Sequence, residues 1–370
     1  MAFYHHLKTY QRAEDAARAA GHDVEYPDKA AWIGARLLAL RTHLRDQITG
    51  RRRANSLIIG SWNIRAFDDG RSRMDESFHY IAEIIDSFDI CAVQEVKQDL
   101  KPLERLVKLL GPNWDYFVND VTEGSPGNNE RMAFLYNRNR VRFKNLIGEL
   151  VLPQEALIEG RQIARSPFFA SFQAGWFRFT LCSAHILYGG GTVADHALRA
   201  AEIRAISKVL ARRSEQTDEV HVLLGDMNIE AAGDPIMQAM TDEGLHVPLF
   251  GATNLGGTKH YDQIAFTKED VKTRLLGKGS FDWRGAVFGP WPDPDHPPKP
   301  IAGHDRLSDQ AFLDHYEPVN LKQRAEADKE PYKNWAKSYG GWTTYEMSDH
   351  LPIWIEIEID YSDDYLRRFL

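Results

Sequence analysis

Ser348-Asp349-His350-Leu351-Pro352-Ile353-Trp354-Ile355 sets an acid and an imidazole at the mouth of an apolar, strand-like run. Val220-His221-Val222-Leu223-Leu224 ends in the same manner, in Gly225-Asp226-Met227-Asn228. A third run closes on Trp62-Asn63, a fourth on Gln94-Glu95 and a fifth on Ala184-His185. One polar pair at a strand end is ordinarily a turn. Five strand ends that carry only acids, amides and histidines describe a sheet scaffold aiming hard-cation ligands and proton carriers at one edge.

The rest of the chain is compatible with that scaffold. Its 370 residues, 43% hydrophobic, are enough for one large domain plus additions. The net charge of −8 argues against a general nucleic-acid coat and leaves room for a local cationic groove. Cys91 and Cys182 each sit inside an apolar run and read as buried free thiols of a reducing compartment. Residues 1–10 lack the apolar core of a secretory signal, and no run approaches the ~18 apolar residues of a membrane span. A cytoplasmic protein with no membrane span and no obligate protein partner is the expectation.

Residues 1–54 are rich in Ala, Leu and Arg, with Ile33, Leu37, Leu38, Leu40 and Leu44 near helical spacing. They predict an N-terminal helical extension that ends in the basic linker Arg51-Arg52-Arg53. From residue 55 strands and helices alternate, which predicts an α/β catalytic domain over 55–362 and a short tail at 363–370. The rhythm breaks over 268–346, a stretch rich in Trp, Pro, His and Asp. Loops this long are ordinarily functional or disordered. Both ends of the stretch adjoin site segments, so it is read as an insertion whose tryptophans roof a pocket or stack on bases.

Glu95 follows a strand too apolar to end in an acid without use, and a bound cation would remove its desolvation penalty. Asp226 and Asn228, two residues apart, point the same way from the pleat. With Asp349 and the amide oxygen of Asn63 they make an all-oxygen donor set, which selects Mg²⁺ or Mn²⁺ over zinc. His185 and His350 can take a proton from water and return one to a leaving oxygen. Each has a candidate acid to fix its tautomer: Glu130, just before the run Met132–Tyr136, and Asp262, at the start of Asp262–Phe266.

Trp62-Asn63, Val93-Gln94-Glu95-Val96-Lys97, Asn129-Glu130-Arg131-Met132-Ala133-Phe134-Leu135-Tyr136, Ser183-Ala184-His185, Gly225-Asp226-Met227-Asn228, Tyr261-Asp262-Gln263-Ile264 and Ser348-Asp349-His350-Leu351-Pro352 follow one another in a familiar order. Over roughly residues 56–360 the chain resembles the endonuclease/exonuclease/phosphatase superfamily, and within it deoxyribonuclease I. The resemblance implies a four-layer α/β sandwich of two packed β-sheets flanked by helices. It implies Mg²⁺-dependent phosphoester hydrolysis, with Asn63, Glu95, Asp226, Asn228 and Asp349 around the metal or phosphate. It also implies catalytic pairs Glu130–His185 and Asp262–His350. Exonuclease III-type relatives use Tyr and Asp where His185 stands, so abasic-site repair is disfavoured. Gln263 departs from the Tyr-Asp-Arg pattern of the deoxyribonucleases.

Arg138, Arg140, Arg142 and Lys144 alternate with uncharged residues, and on a strand they would lay four cations on one face, as a phosphate rail or a charged edge. Arg161, Arg165, Lys259 and Lys268 could extend it. The leading expectation is a Mg²⁺-dependent endonuclease with DNA as its partner. The alternative is a phosphatase or phosphodiesterase acting on a lipid headgroup or small phosphorylated molecule. The full residue set argues against a catalytically dead binding module.

Overall fold

The computed structural model describes residues 2–24, 28–67, 73–122, 128–217, 219–267, 272–289 and 335–370. Two six-stranded mixed sheets form its centre. The first contains β1 (Ser56–Phe67), β2 (Ile90–Val96), β3 (Trp114–Val118), β4 (Arg131–Asn137), β11 (Leu275–Ser280) and β12 (Ile353–Glu358), in the order β11-β12-β1-β2-β4-β3. The second contains β5 (Arg142–Glu149), β6 (Phe168–Ala174), β7 (Phe177–His185), β8 (Val220–Asp226), β9 (Leu245–His246) and β10 (Asp262–Thr267), in the order β5-β6-β7-β8-β10-β9.

Each sheet holds one parallel pair joined through a helix. β1 reaches β2 through α3 (Asp75–Asp86), and β7 reaches β8 through α5 (Val193–Gln216). These four strands are buried on both faces, which is why they read as unbroken apolar runs. Between the sheets lies a core of Ile59, Ala92, Phe134, Phe172, Leu181, Leu224, Ile264 and Ile355. The outer face of the first sheet is covered by α1 (His5–Ala19), α2 (Lys29–Gln47), α3 and α4 (Lys101–Leu110). The second sheet is covered by α5 and α6 (Pro235–Thr241). The result is helices, sheet, sheet, helices: the four layers that the resemblance implied. No described helix is long and apolar enough to cross a membrane.

The topology puts the site where the sequence motifs meet. Asn63, Glu95, His185 and Asp226 lie at or near the C-terminal ends of parallel strands. Glu130, Asp262 and His350 lie at or just before the starts of β4, β10 and β12, which run antiparallel to their neighbours. A strand running the opposite way begins where its neighbour ends, so all seven gather at one edge of the sandwich. Ligand sites of open α/β sheets favour that edge.

Of the stretch 268–346, Leu275–Ser280 is an edge strand of the first sheet, in register with Ile353–Ile357 of β12. Residues 335–346 form α7 (Trp335–Glu346). Trp283 is fully buried and Trp342 nearly so, both within the helical side of the first sheet. That corrects the expectation for these two tryptophans: apolar burial has placed them in the core and not over a cleft. Trp291 and Lys268 lie outside the described residues. α8 (Ser362–Arg367) occupies most of the expected tail.

α2 is tied to α3 through a buried acid. Ile33, Leu37, Leu40 and Leu44 of α2 enter the core beside α3. There Glu76 accepts Trp32 Nε1–H at 2.8 Å and Tyr80 O–H at 2.9 Å. Burial raises the Glu76 carboxyl from its ordinary 4.5 to about 7, against the pull of those two donors. The folded protein therefore holds this proton to a higher pH than the unfolded chain does. Between about pH 4.5 and 7 the unfolded chain loses its proton first, so this group removes stability as pH rises through that window. Glu76→Gln, which cannot ionise, should gain on the wild type by on the order of 1–3 kcal/mol between pH 5 and pH 8. Urea denaturation at the two pH values reads the difference, and an unchanged difference would refute the assignment.

Candidate active site

Asp226 is the meeting point. It is 2% exposed, at the end of β8, with His185 in register on one side and Asp262 on the other. Its Oδ2 accepts Asn63 Nδ2–H at 3.0 Å from the facing sheet, and its Oδ1 accepts the Asn228 backbone N–H at 3.0 Å. His185 Nε2 stands 3.5 Å and His350 Nε2 3.8 Å from the same Oδ2.

Each imidazole is held from behind by its own acid. His350 Nδ1 lies 2.8 Å from Asp262 Oδ2, and His185 Nδ1 lies 3.0 Å from Glu130 Oε2. In both rings Nδ1 faces a carboxylate and Nε2 faces the site, which fixes which nitrogen can exchange protons there. Burial works against a charge on His350, but Asp262, Asp226 and Asp349 outweigh it and raise its pKa well above the ordinary value. Burial would also raise Glu130, yet His185, Arg165 and Lys97 pull it down to about 2. Lys97 Nζ is 3.0 Å and Arg165 Nη1 3.3 Å from its two oxygens. Arg165 thus serves Glu130 and does not extend a rail.

The donor set suits a hard cation. Asn63 Nδ2 bridges Glu95 Oε1 at 2.9 Å and Asp226 Oδ2 at 3.0 Å, while buried Asn63 Oδ1 has no hydrogen-bond partner. Glu95 and Asp226 thus converge on one end of an amide whose buried oxygen is left unsatisfied, and with that amide turned over the three oxygens would face one oxygen-ligated cation. Glu95 and Asp349 line one open cleft of about 750 Å³. Asn228 presents its amide from a backbone at φ +52° and donates Nδ2–H to Ile186 O at 2.7 Å. Two groups of acids and histidines lie close enough to share an ion, Glu95 with Glu130 and His185, and Asp226 with Asp262 and His350. Glu130 and Asp262 are already engaged with their histidines, so the amide and the remaining carboxylates fit a metal better.

Local backbone devices aim these groups. β1 and β2 both shift register at the site, between Asn63 and Phe67 and between Val93 and Val96. Glu95 sits in that irregularity with φ +61° and accepts Ala66 N–H at 2.7 Å. Such bulges re-aim a side chain out of the strand's alternation. Gly225, at φ +129°, is required on β8, because a Cβ there would stand 2.0 Å from Ala184 O.

Sequence reading passed over the struts. Ser348 Oγ donates to Asn63 O at 2.6 Å and accepts the His350 and Arg65 N–H groups, pinning β1 to the acid–histidine segment. Gln94 Nε2 donates to Ser183 Oγ at 2.9 Å, across the two sheets. The signal was present, since both residues stand inside the quoted motifs; only their neighbours had recognisable chemistry. Gln263, the departure from the deoxyribonuclease pattern, donates Nε2–H to His260 O at 2.9 Å.

The four-cation rail is corrected. Arg138 and Arg140 lie in the turn between β4 and β5, not on a strand, at the opposite end of the sheets from the site. Arg140 Nε is 3.1 Å from buried Asp89, which also binds Arg52 of the basic linker. A buried carboxylate needs such partners, and Asp89 holds both guanidiniums against itself. Arg142 and Lys144 are exposed on β5. Lys259 is paired with Glu230.

The sequence model of the Endonuclease/Exonuclease/phosphatase family matches residues 60–350. A search of curated proteins gives no match. Among solved structures, an endonuclease/exonuclease/phosphatase family protein from Bacteroides thetaiotaomicron aligns with a TM-score of 0.51 at 16% identity, covering 82% of this chain and 98% of that one. A mannosyl-6-phosphatase of the same organism aligns at 0.50 with 14% identity, over 81% and 98%. A functionally unknown conserved protein from Enterococcus faecalis V583 gives 0.50, 14%, 81% and 98%. At these identities the likeness is one of fold. With the family model covering well over half of the sequence and reaching all seven motifs, the last as far as His350, the chain belongs to the endonuclease/exonuclease/phosphatase family.

Proposed function

We propose that this protein is a hydrolase of compact phosphoesters that works with bound Mg²⁺ or Mn²⁺. The observation that carries the reading is the convergence of His185 and His350 on Asp226, each ring backed by its own acid. Asn63, Glu95, Asp226, Asn228 and Asp349 would hold the cation. When bound, it stabilises charge on phosphate oxygens and lowers the pKa of water. The protein's own part is proton traffic. One imidazole Nε2 takes the proton of the attacking water, and the other returns a proton to the leaving oxygen. Glu130 and Asp262 keep both Nδ1 atoms occupied, so each ring works through one nitrogen. The Asn63 and Asn228 amides add neutral polar groups where charge accumulates on phosphorus oxygens. Residues 55–362 would carry this chemistry, with 1–54 as a packed extension. The two buried, unpaired thiols support a reducing, cytoplasmic setting.

Endonucleolytic cleavage of DNA is the second reading and has less support. Its sequence footprint, the Arg138–Lys144 rail, lies away from the site. Lys97 and Arg165 beside the site are paired with Glu130, and Lys259 with Glu230. A duplex needs several uncommitted cations along its backbones. The cleft beside Glu95 instead accommodates a group the size of a sugar or nucleotide.

EDTA should abolish hydrolysis and Mg²⁺ or Mn²⁺ restore it, with Glu95→Ala lowering kcat by about 10²-fold or more. Full activity in chelator would sink the metal reading. His185→Ala and His350→Ala should each lower kcat by roughly 10²–10⁴-fold with circular dichroism unchanged. A loss below about threefold in either would remove that histidine from the mechanism. Supercoiled plasmid and a panel of phosphomonoesters and small phosphodiesters, assayed side by side with Mg²⁺, decide the substrate. Turnover of the panel with intact plasmid is expected; nicking of plasmid alone restores the nuclease reading.

A further inference from the structure

The open cleft beside Glu95 and Asp349 has a second wall, built by α7. The Arg65 guanidinium lies 3.9 Å from the Tyr345 ring centroid. It donates from Nη2 to Tyr345 Oη at 3.0 Å and from Nη1 to Thr344 Oγ1. The helix is itself fixed. Glu346, 4% exposed, accepts Met74 N–H at 2.9 Å and Ser77 O–H at 2.6 Å at the start of α3. Three consecutive residues therefore act together: Thr344 and Tyr345 hold the arginine, and Glu346 holds the helix. Two residues later comes Ser348, which also receives the Arg65 N–H.

Arg65 is an unusual cation for this site. Lys97, the other cation lining the cleft among the described residues, is held by an ion pair with Glu130. Among the described residues the acid paired with Arg65 is Asp349, at 3.8 Å from Nε, a carboxylate that belongs to the proposed metal set. Asp99, at the rim, accepts the N–H of Lys101 in its own turn. A bound cation would engage Asp349 and leave Arg65, among the described residues, an oriented, planar guanidinium facing the cleft without a close carboxylate of its own. A guanidinium held in this way recognises an oxyanion by geometry as well as by charge.

We propose that Arg65, positioned by Thr344 and Tyr345, selects substrates that carry a second anionic group beside the scissile phosphate. The inference rests on the phosphoester reading and deepens it. The second anion is either the neighbouring phosphate of a nucleotide or the second phosphate of a small bisphosphate, and Arg65 sees the same chemistry in both. Arg65 is a specificity determinant of the bound ester, outside the proton-transfer pairs.

Calorimetric titration at one fixed Mg²⁺ concentration tests it without turnover. The probes are methylphosphonate, methylenebisphosphonate and thymidine 3′,5′-bisphosphate. Wild type should bind at least one of the two doubly anionic probes at least tenfold tighter than methylphosphonate. Arg65→Met should reduce that preference to below about threefold, and Arg65→Lys should retain part of it. Preference for thymidine 3′,5′-bisphosphate alone identifies a nucleotide phosphate; preference extending to methylenebisphosphonate identifies a small bisphosphate. If Arg65→Met fails to melt cooperatively, the double variant T344V/Y345F removes both hydroxyl partners and should lower the preference at least threefold. No preference in wild type, or one that survives in Arg65→Met or in the double variant, overturns the proposal. A protein with this binding preference but no hydrolysis of any phosphoester would sink the proposed function and leave the anion site standing.

Discussion

A carboxylate shut between two sheets governs this site. Asp226 is almost without solvent, and an isolated charge in that position would be costly. It is tolerated because donors reach it from two sides, Asn63 across the seam and the Asn228 N–H from its own loop, with the His185 and His350 Nε2 atoms 3.5 and 3.8 Å away. Each of these groups must then be held in its turn. Ser348 ties Asn63 to the segment before His350, and Arg199, 1% exposed, donates Nη1–H to Asn228 O at 2.7 Å. Removing one partner from such a buried set is ordinarily far more damaging than the worth of a single hydrogen bond, because the remaining charge is left uncompensated.

The backbone carries the matching constraint. Ten non-glycine residues among those described have positive φ, and five of them line or border the site: Ala66, Glu95, Asn128, Asn129 and Asn228. Asn and Asp tolerate this region better than other residues, but Glu and Ala do not. Glu95 and Ala66 stay there because each holds the other: the Ala66 N–H is donated to the Glu95 carboxylate. The strain is the means by which two parallel strands, whose side chains would otherwise alternate in and out, turn one amide and one acid toward the same point.

That pattern explains what could be read from the sequence. β1, β2, β7, β8 and β12 are strands buried on both faces, so their apolar runs were visible, and their polar ends marked the site. β11, Leu-Leu-Gly-Lys-Gly-Ser, was invisible: two glycines and a lysine carry no strand signal, and its place comes from pairing with β12. α7 was hidden for a related reason. Gly340-Gly341 lowers its intrinsic helix preference, and tertiary contacts by Glu346, Tyr339 and Trp342 override that cost. The two acid–histidine neighbours could be guessed from chain order. The Arg140–Asp89 pair could not, because it joins residues 51 positions apart at an end of the sheet that sequence periodicity does not locate.

The location of the charges bears on how a phosphate would be captured at all. The chain carries a net charge of −8, and the lysines and arginines around the site are largely committed to Glu130 and Glu230. A protein of this kind has little long-range field with which to steer a polyanion. Over more than roughly 8 Å salt screens what field there is. On the reading proposed above, attraction would arise at contact, from a cation held by Asn63, Glu95 and Asp226 and from a fixed guanidinium on the cleft wall. Contact forces of this sort reward a ligand for fitting and give little to one that is merely charged. On that reading, the same arrangement would disfavour sliding along a duplex and favour choosing among small phosphoesters by the spacing of their anions.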